Sequence, residues 1–296
     1  MTSTRAGTRP PGYRLPDDLA LGAVRLQVSD LDRSLAFYAR VLGLTMQART
    51  AASASLGAAG AATPLVVLET RPGIRPASPR ATLGLYHFAI LLPSRADLGR
   101  FIAHLAGTHE RVGMADHLVS EAVYLTDPDD LGIEVYADRP RDAWRAQPDG
   151  ELAMTTDPLD ADGLIAAARG TRWAGMPAGT AMGHVHLHVG DLDEAAAFYH
   201  AALGLDRMVW SYPGALFLAA GGYHHHLGTN TWARGPRPGD DQARLLSWDI
   251  VLPRVDDVAA VAASIAGAGH DIHEEDGGFT VVDPWGTALR IIAAAR

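Results

Sequence analysis

The sequence predicts an α+β protein built from four successive βαβββ-like modules, at roughly 21–70, 84–137, 182–232 and 244–293. Three observations lead there. Val28-Ser29-Asp30-Leu31-Asp32 runs on to Phe37-Tyr38 and Leu42-Gly43-Leu44, and Val189-Gly190-Asp191-Leu192-Asp193 runs on to Phe198-Tyr199 and Leu203-Gly204-Leu205, about 160 residues later. In both copies a strand ends at an acidic N-cap, a short helix follows, and a glycine stands where a helix C′ residue belongs. At the same offset, His87-Phe88-Ala89-Ile90-Leu91-Leu92-Pro93 matches Ser247-Trp248-Asp249-Ile250-Val251-Leu252-Pro253. Each of these is followed by a helix-like run (98–105 and 258–266), an Asp-Pro turn (Asp127-Pro128 and Asp283-Pro284) and a last strand. The third observation is the alternation of histidine with Val or Leu over 184–189, the period of a half-buried strand.

Taken in order, residues 1–20 read as a flexible tail and 21–137 as a first domain of two modules. Residues 138–181 are a proline- and glycine-broken linker in which 159–169 can form a helix, and 182–296 is a second domain of two modules. The Gly/Pro/Arg/Asp stretch 233–242 is either a plain surface loop or a mobile flap over a pocket.

Composition narrows the function classes. A net charge of −9 argues against nucleic acid as a partner, and no apolar run approaches the roughly 18 residues of a membrane span. Residues 1–20 lack the apolar core of a secretory signal, so a cytoplasmic location is expected. With no cysteine there is neither a disulfide framework nor a thiolate metal site. The expected partner is a small molecule. No Ser-His-Asp arrangement, phosphate loop or dinucleotide motif is evident.

Histidine is where the chemistry concentrates. His184, His186, His188, His200, His224, His225 and His226 are more than half of the 13 in the chain. Alternation puts His184, His186 and His188 on one strand face, which suits a wet, metal-binding concavity better than a core. At about 3.3 Å per residue, His184 and His188 stand some 13 Å apart and cannot share an ion. His186 is better placed to touch a substrate than to complete the shell of His184. In 223–227 the same alternation puts His224 and His226 on one face and His225 on the other.

The segments 87–93 and 118–140 (with VSEAVYLTDP and IEVYADRP), GHVHLHV and GYHHHLGTNTW resemble the vicinal oxygen chelate superfamily, most of all its two-domain catechol 2,3-dioxygenase-like members. The resemblance covers nearly the whole chain after residue 20. It implies U-shaped mixed sheets, each formed by two paired modules around one metal. Ligands would come from the start of each first strand and from each last strand. At these places modules two and three offer His87, Glu134, His184 and a histidine of 224–226. Modules one and four offer Ala23, Ser247, Arg290 and apolar groups. A single complete set therefore arises if module two faces module three; a site within one half, or between subunits of a homodimer, is the alternative.

His117, Tyr124 and Glu134 stand at the spacing of the extradiol pattern, in which a His and a Tyr touch the substrate and the Glu is a ligand; Ala115 and Asp130 depart from it at turn positions. The resemblance thus implies an Fe(II)-dependent extradiol dioxygenase acting on a catechol-type diol and O₂, with His87, Glu134 and His184 as ligands. Mn, Zn and Ni suit the same donor types. His226 (or His224) and His117 would move protons, Tyr124 would hydrogen-bond a substrate oxygen, and His186, His224, Asn230 and Trp232 would contact substrate. Phe198 and Tyr199 are either ring-packing walls or helix core. The rival functions are a redox-silent metal-dependent isomerase or lyase and a non-catalytic binder of aromatic ligands.

Overall fold

The computed structural model describes residues 6–77 and 82–294. The four modules are present in order. Module one comprises β1 (Ala20–Gln27), α1 (Leu31–Arg40), β2 (Thr45–Arg49), β3 (Ser53–Gly57) and β4 (Val66–Glu69). Module two comprises β5 (Gly84–Leu91), α2 (Arg95–Leu105), β6 (Gly113–Asp116), β7 (Ser120–Thr126) and β8 (Gly132–Asp138). The linker carries α3 (Ala161–Ala167). Module three has β9 (Ala181–His188), α4 (Leu192–Ala195) continuing as a π-helical stretch Ala196–Ala202, then β10 (Asp206–Val209), β11 (Ala215–Ala219) and β12 (Leu227–Asn230). Module four has β13 (Arg244–Leu252), α5 (Val255–Gly267), β14 (Ile272–Glu275), β15 (Gly278–Val282) and β16 (Ala288–Ala293).

The repeated helices begin as their sequences dictate. Asp30 accepts from the Arg33 backbone N–H at 3.0 Å and Asp191 from that of Glu194 at 2.9 Å, each satisfying a donor that the first turn leaves unpaired. Gly43 and Gly204 follow with φ of 75° and 99°, a backbone that other residues rarely adopt.

Two eight-stranded mixed sheets result, and each draws one module from each half of the chain. The first runs β14-β15-β16-β13-β1-β4-β3-β2 and the second β10-β11-β12-β9-β5-β8-β7-β6. Module two thus shares a sheet with module three through the antiparallel pair β5–β9, and module one with module four through β1–β13. Period-two alternation sorts the faces. Val185, Leu187 and Phe88 are buried in one continuous apolar core with Val24, Leu26 and Trp248 of the other sheet, which leaves the histidines of β9 on the opposite, concave face.

Two tyrosines tie the sheets together. The Tyr38 hydroxyl donates to Asp127 at 3.1 Å and the Tyr199 hydroxyl to Asp283 at 2.8 Å, so the Phe-Tyr helices of modules one and three lock onto the Asp-Pro turns of modules two and four. Phe198 and Tyr199 are therefore helix core, remote from any substrate wall.

Two expectations are corrected. From residue 6 onward the segment read as a flexible tail is packed: Leu15 is buried, Arg14 holds Asp206 through two hydrogen bonds of 2.9 and 2.6 Å, and Thr8 pairs with Arg207. Apolar residues spaced too irregularly to signal an element still bury once β10 offers them an edge. Residues 1–5 lie outside the described residues. The 233–242 stretch is no flap over the histidines. Leu83 N–H donates to Pro236 O, Arg75 N–H to Asp241 O, and the Gln27 amide to Asp240 O and Gln242 O, which ties it to the far sheet. In the linker, α3 lies across α2 where Gly99 leaves room; a Cβ there would stand 1.9 Å from Leu164 O.

Burial pushes the Asp127 carboxyl up to about 7, against the lowering effect of the Leu131 and Asp129 backbone N–H donors. The folded chain thus holds a proton that the unfolded chain releases near 3.8, and stability from this group falls as pH rises from about 4 to 7. Asp127→Asn keeps the two accepted N–H bonds and removes the ionisation. It is expected to flatten the stability–pH slope by up to about 1.4 kcal/mol per pH unit in that window. Urea midpoints at several pH values check this, and parallel slopes for the two proteins would contradict it.

Candidate active site

The concave face of the second sheet is organised by one alanine. Ala89 on β5 is in register with Glu134 on β8 and with His184 on β9. A methyl group between them leaves both longer side chains free to converge, and His87, two residues back on β5, completes the cluster. Glu134 Oε2 lies 3.0 Å from His87 Nε2 and 3.1 Å from His184 Nε2, and the two imidazole nitrogens are 3.3 Å apart. All three side chains are buried.

This donor set fits a divalent ion. Ligands about 2.1 Å from an ion stand about 3.0 Å apart when at right angles and about 3.4 Å apart in a tetrahedron, a range that contains all three separations. Burial pushes the Glu134 carboxyl upward, but His184 and then His87 more than reverse it and hold the group well below the usual carboxylate range. Burial takes His184 down to about 4, opposed in part by Glu134, so it offers a neutral lone pair. His184 Nδ1 is buried and has no hydrogen-bond partner among the described residues. On β12 the corresponding place is empty of donors: Gly228 stands beside His186 as Glu134 stands beside Ala89. A Cβ at Gly228 would fall 2.8 Å from His186 Cγ, so the ring of His186 occupies what a fourth ligand would need.

Above the cluster opens a pocket of about 280 Å³ with His87, Glu134, His117, Tyr124, His186 and His225 in its lining. Its outer wall is aromatic, from Tyr86, Tyr212, Phe217 and Trp232, and Met154 to Thr156 of the linker close its rim. His117 and Tyr124 form a directed pair. His117 Nδ1–H donates to Thr155 O at 2.6 Å, so its Nε2 accepts the Tyr124 hydroxyl, also at 2.6 Å. Burial raises the Tyr124 phenol well above its ordinary value, and it keeps its proton. Of the two departures from the extradiol spacing, Asp130 sits at φ 62°, a conformation Asp tolerates in a turn, and Ala115 lies on β6 in the pocket lining.

His87, Glu134, His117, Tyr124, His186 and Trp232 are thus brought around one cavity, and His184 is buried against Glu134 and His87 behind its lining. Asn230 is not at the surface of it. It is buried behind His186, with Oδ1 receiving His188 Nδ1–H at 2.6 Å and the Trp232 N–H at 3.1 Å, and Nδ2 donating to His186 Nε2 at 2.9 Å. The reading of the 224–226 run is corrected: neither His226 nor His224 lines the pocket, and His225 does. His225 lies against His184, with ring centroids 4.0 Å apart and the planes tilted by 45°. His224 turns away to Asp138, and His226 accepts the Ala220 N–H at Nδ1. β12 starts only at Leu227, and the bends over 223–226 break the alternation on which the choice of face relied.

Tyr86 escaped the sequence reading for a related reason. An irregularity in the β5–β9 register between Leu85 and His87 lets adjacent residues face the same way, and Tyr86 lies 4.8 Å, centroid to centroid, from His87 and from His188. Phe217 and Tyr212 carry no sequence signal that separates them from core residues.

The geometry agrees with what the chain is similar to. The Glyoxalase/Bleomycin resistance protein/Dioxygenase superfamily profile matches residues 20–135 and 181–291. A Bacillus subtilis (strain 168) protein named Catechol-2,3-dioxygenase is 43% identical over 272 residues, 90% of this chain and 95% of that one. Among solved structures, a candidate dioxygenase from Bacillus subtilis superposes with a TM-score of 0.67 at 13% identity, over 96% of this chain and 87% of that one. Glyoxalase I from Zea mays gives 0.54 at 17% identity, over 93% and 92%. With two modules in each of two mixed sheets, and with both halves matching the profile, this chain belongs to the Glyoxalase/Bleomycin resistance protein/Dioxygenase superfamily.

Proposed function

We propose that the protein is an Fe(II)-dependent extradiol dioxygenase that opens the ring of a catechol-type diol with O₂. The observation that carries the reading is the buried His87–Glu134–His184 triad, of which His87 and Glu134 line an aromatic-walled pocket. Two imidazoles and one carboxylate are the set that non-haem Fe(II) oxygenases use. The 43% identity to a protein named for catechol cleavage supports the same substrate class. The redox-silent alternative, for which more carboxylate is expected, has Gly228 at the fourth place.

An Fe(II) held by these residues supplies a common binding point for diol and O₂ and the electron transfer between them. The rest is the work of the chain. One carboxylate against a divalent charge leaves the site net positive, which favours an ionised diol. Tyr124, its proton committed to His117, presents an oxygen that accepts from a substrate hydroxyl, and a proton arriving there passes to His117 Nε2. His225 stands on the β12 side of the ligands, in the pocket lining, as a second proton acceptor. Tyr86, Phe217 and Trp232 hold the ring by edge and face contacts. The molecule has no helix long and apolar enough to cross a membrane among the described residues.

Anaerobic reconstitution with Fe(II), followed by catechol and O₂, is expected to give oxygen uptake and a yellow ring-fission product. A panel of catechols without uptake, despite one bound iron per chain, would refute the reading; turnover with Zn(II) after aerobic storage would favour the isomerase or lyase. Glu134→Ala and His184→Ala are each expected to reduce bound metal well below one per chain by elemental analysis, whereas stoichiometric metal in both would remove the triad from the account. His225→Ala is expected to lower kcat by roughly 10²-fold or more, while His226→Ala stays within a few-fold. The reverse order would restore His226 as the acid–base group.

A further inference from the structure

Resting on the dioxygenase reading, we propose that Asp138 is a positioning residue that acts through His224 to fix the tautomer and orientation of His225, with Nε2 turned toward the substrate. Strand β8 builds the arrangement. Glu134, Tyr136 and Asp138 alternate onto its concave face, so the strand that delivers a ligand also delivers, four residues on, a carboxylate at the back of the histidine run.

The hydrogen bonds form a directed chain. Asp138 Oδ1 lies 2.9 Å from His224 Nε2, and His224 Nδ1 lies 2.7 Å from His225 Nδ1. A carboxylate only accepts, so His224 donates from Nε2 and its Nδ1 is a bare lone pair. His225 then donates from Nδ1, which leaves Nε2 unprotonated on the ring that lies tilted against His184 and lines the pocket. With both imidazoles neutral, no other assignment of protons satisfies both contacts. The order is carboxylate, imidazole, imidazole, pocket.

The surroundings hold this chain in place. The Tyr223 hydroxyl donates to the same Asp138 oxygen at 3.2 Å and receives the Tyr136 hydroxyl at 2.6 Å. Tyr136 reaches this position because residue 183 is glycine; a Cβ there would lie 1.8 Å from its hydroxyl oxygen. Trp144 packs on His224 with centroids 5.3 Å apart, and Arg141 lies over the Trp144 and Tyr223 rings. His224 is fully buried, whereas the Asp138 side chain is 26% exposed, so the chain leads from the pocket to the protein surface.

Two measurements test this. In the Fe(II) enzyme, Asp138→Asn is expected to lower kcat by about tenfold or more with KM changed less than about threefold, since orientation of an acid–base group is a share of its roughly 10²–10⁴ effect. Added to His225→Ala, the same substitution is expected to have no further effect. Full kcat in Asp138→Asn, or an equal loss on the His225→Ala background, would overturn the proposal. The ¹⁵N spectrum of the Zn(II)-loaded wild type, with histidine labelled, needs neither turnover nor a variant that folds. It is expected to show His225 protonated on Nδ1 alone, and a His225 protonated on Nε2 would overturn the proposal. If no catechol is turned over, the dioxygenase reading fails, and the spectrum still decides the tautomer.

Discussion

The antiparallel register of β5 against β9 is the constraint on which the site depends. It sets Ala89 opposite His184, while the parallel register of β5 with β8 sets the same Ala89 beside Glu134. A shift by one residue in either pairing would turn His184 or Glu134 to the core face, because side chains alternate. The apolar half of the alternation enforces that register: Val185, Leu187, Phe88 and Ile133 are almost wholly buried, and a slip would bring histidine into the core instead. The proposed metal-binding set and the hydrophobic core thus lie on the same strands, on opposite faces.

The other sheet shows what the same framework becomes without ligands. Asp249 on β13 and Arg290 on β16 are in register as Ala89 and Glu134 are, and Ser247 stands two residues before Asp249 as His87 stands before Ala89. The carboxylate place is taken by a guanidinium that makes two 3.1 Å bonds to Asp249 and one to Glu275. Burial pushes the Asp249 carboxyl up, and Arg290 and Arg25 oppose that. An ion-pair network closed on itself fills the ground where a metal would sit, and this sheet serves as scaffold for its partner.

Much of this was legible in the sequence. The four modules could be found because the Asp caps, Phe-Tyr pairs and Asp-Pro turns recur in one register, and these are the residues that interlock as Tyr38–Asp127 and Tyr199–Asp283. His87, Glu134 and His184 could be singled out because they stand at the first-strand and last-strand places that the family resemblance marks for ligands, and those segments do form strands. Counting failed where the backbone leaves the strand. Bends over 223–226 bring His225 inward in place of His226, and the register irregularity near Tyr86 adds a ring that alternation assigns to the other side. Contacts between segments distant in sequence, such as Thr155 O with His117 and Asp138 with His224, carry no local signal at all.

An anomalous-difference map at the iron edge, from crystals of the Fe(II)-loaded protein, tests the central claim most directly. One peak per chain, about 2.0–2.3 Å from His87 Nε2, His184 Nε2 and a Glu134 oxygen, is the result expected of a single ion gripped by modules two and three. A peak elsewhere, or none of these three side chains within reach of it, would contradict the account.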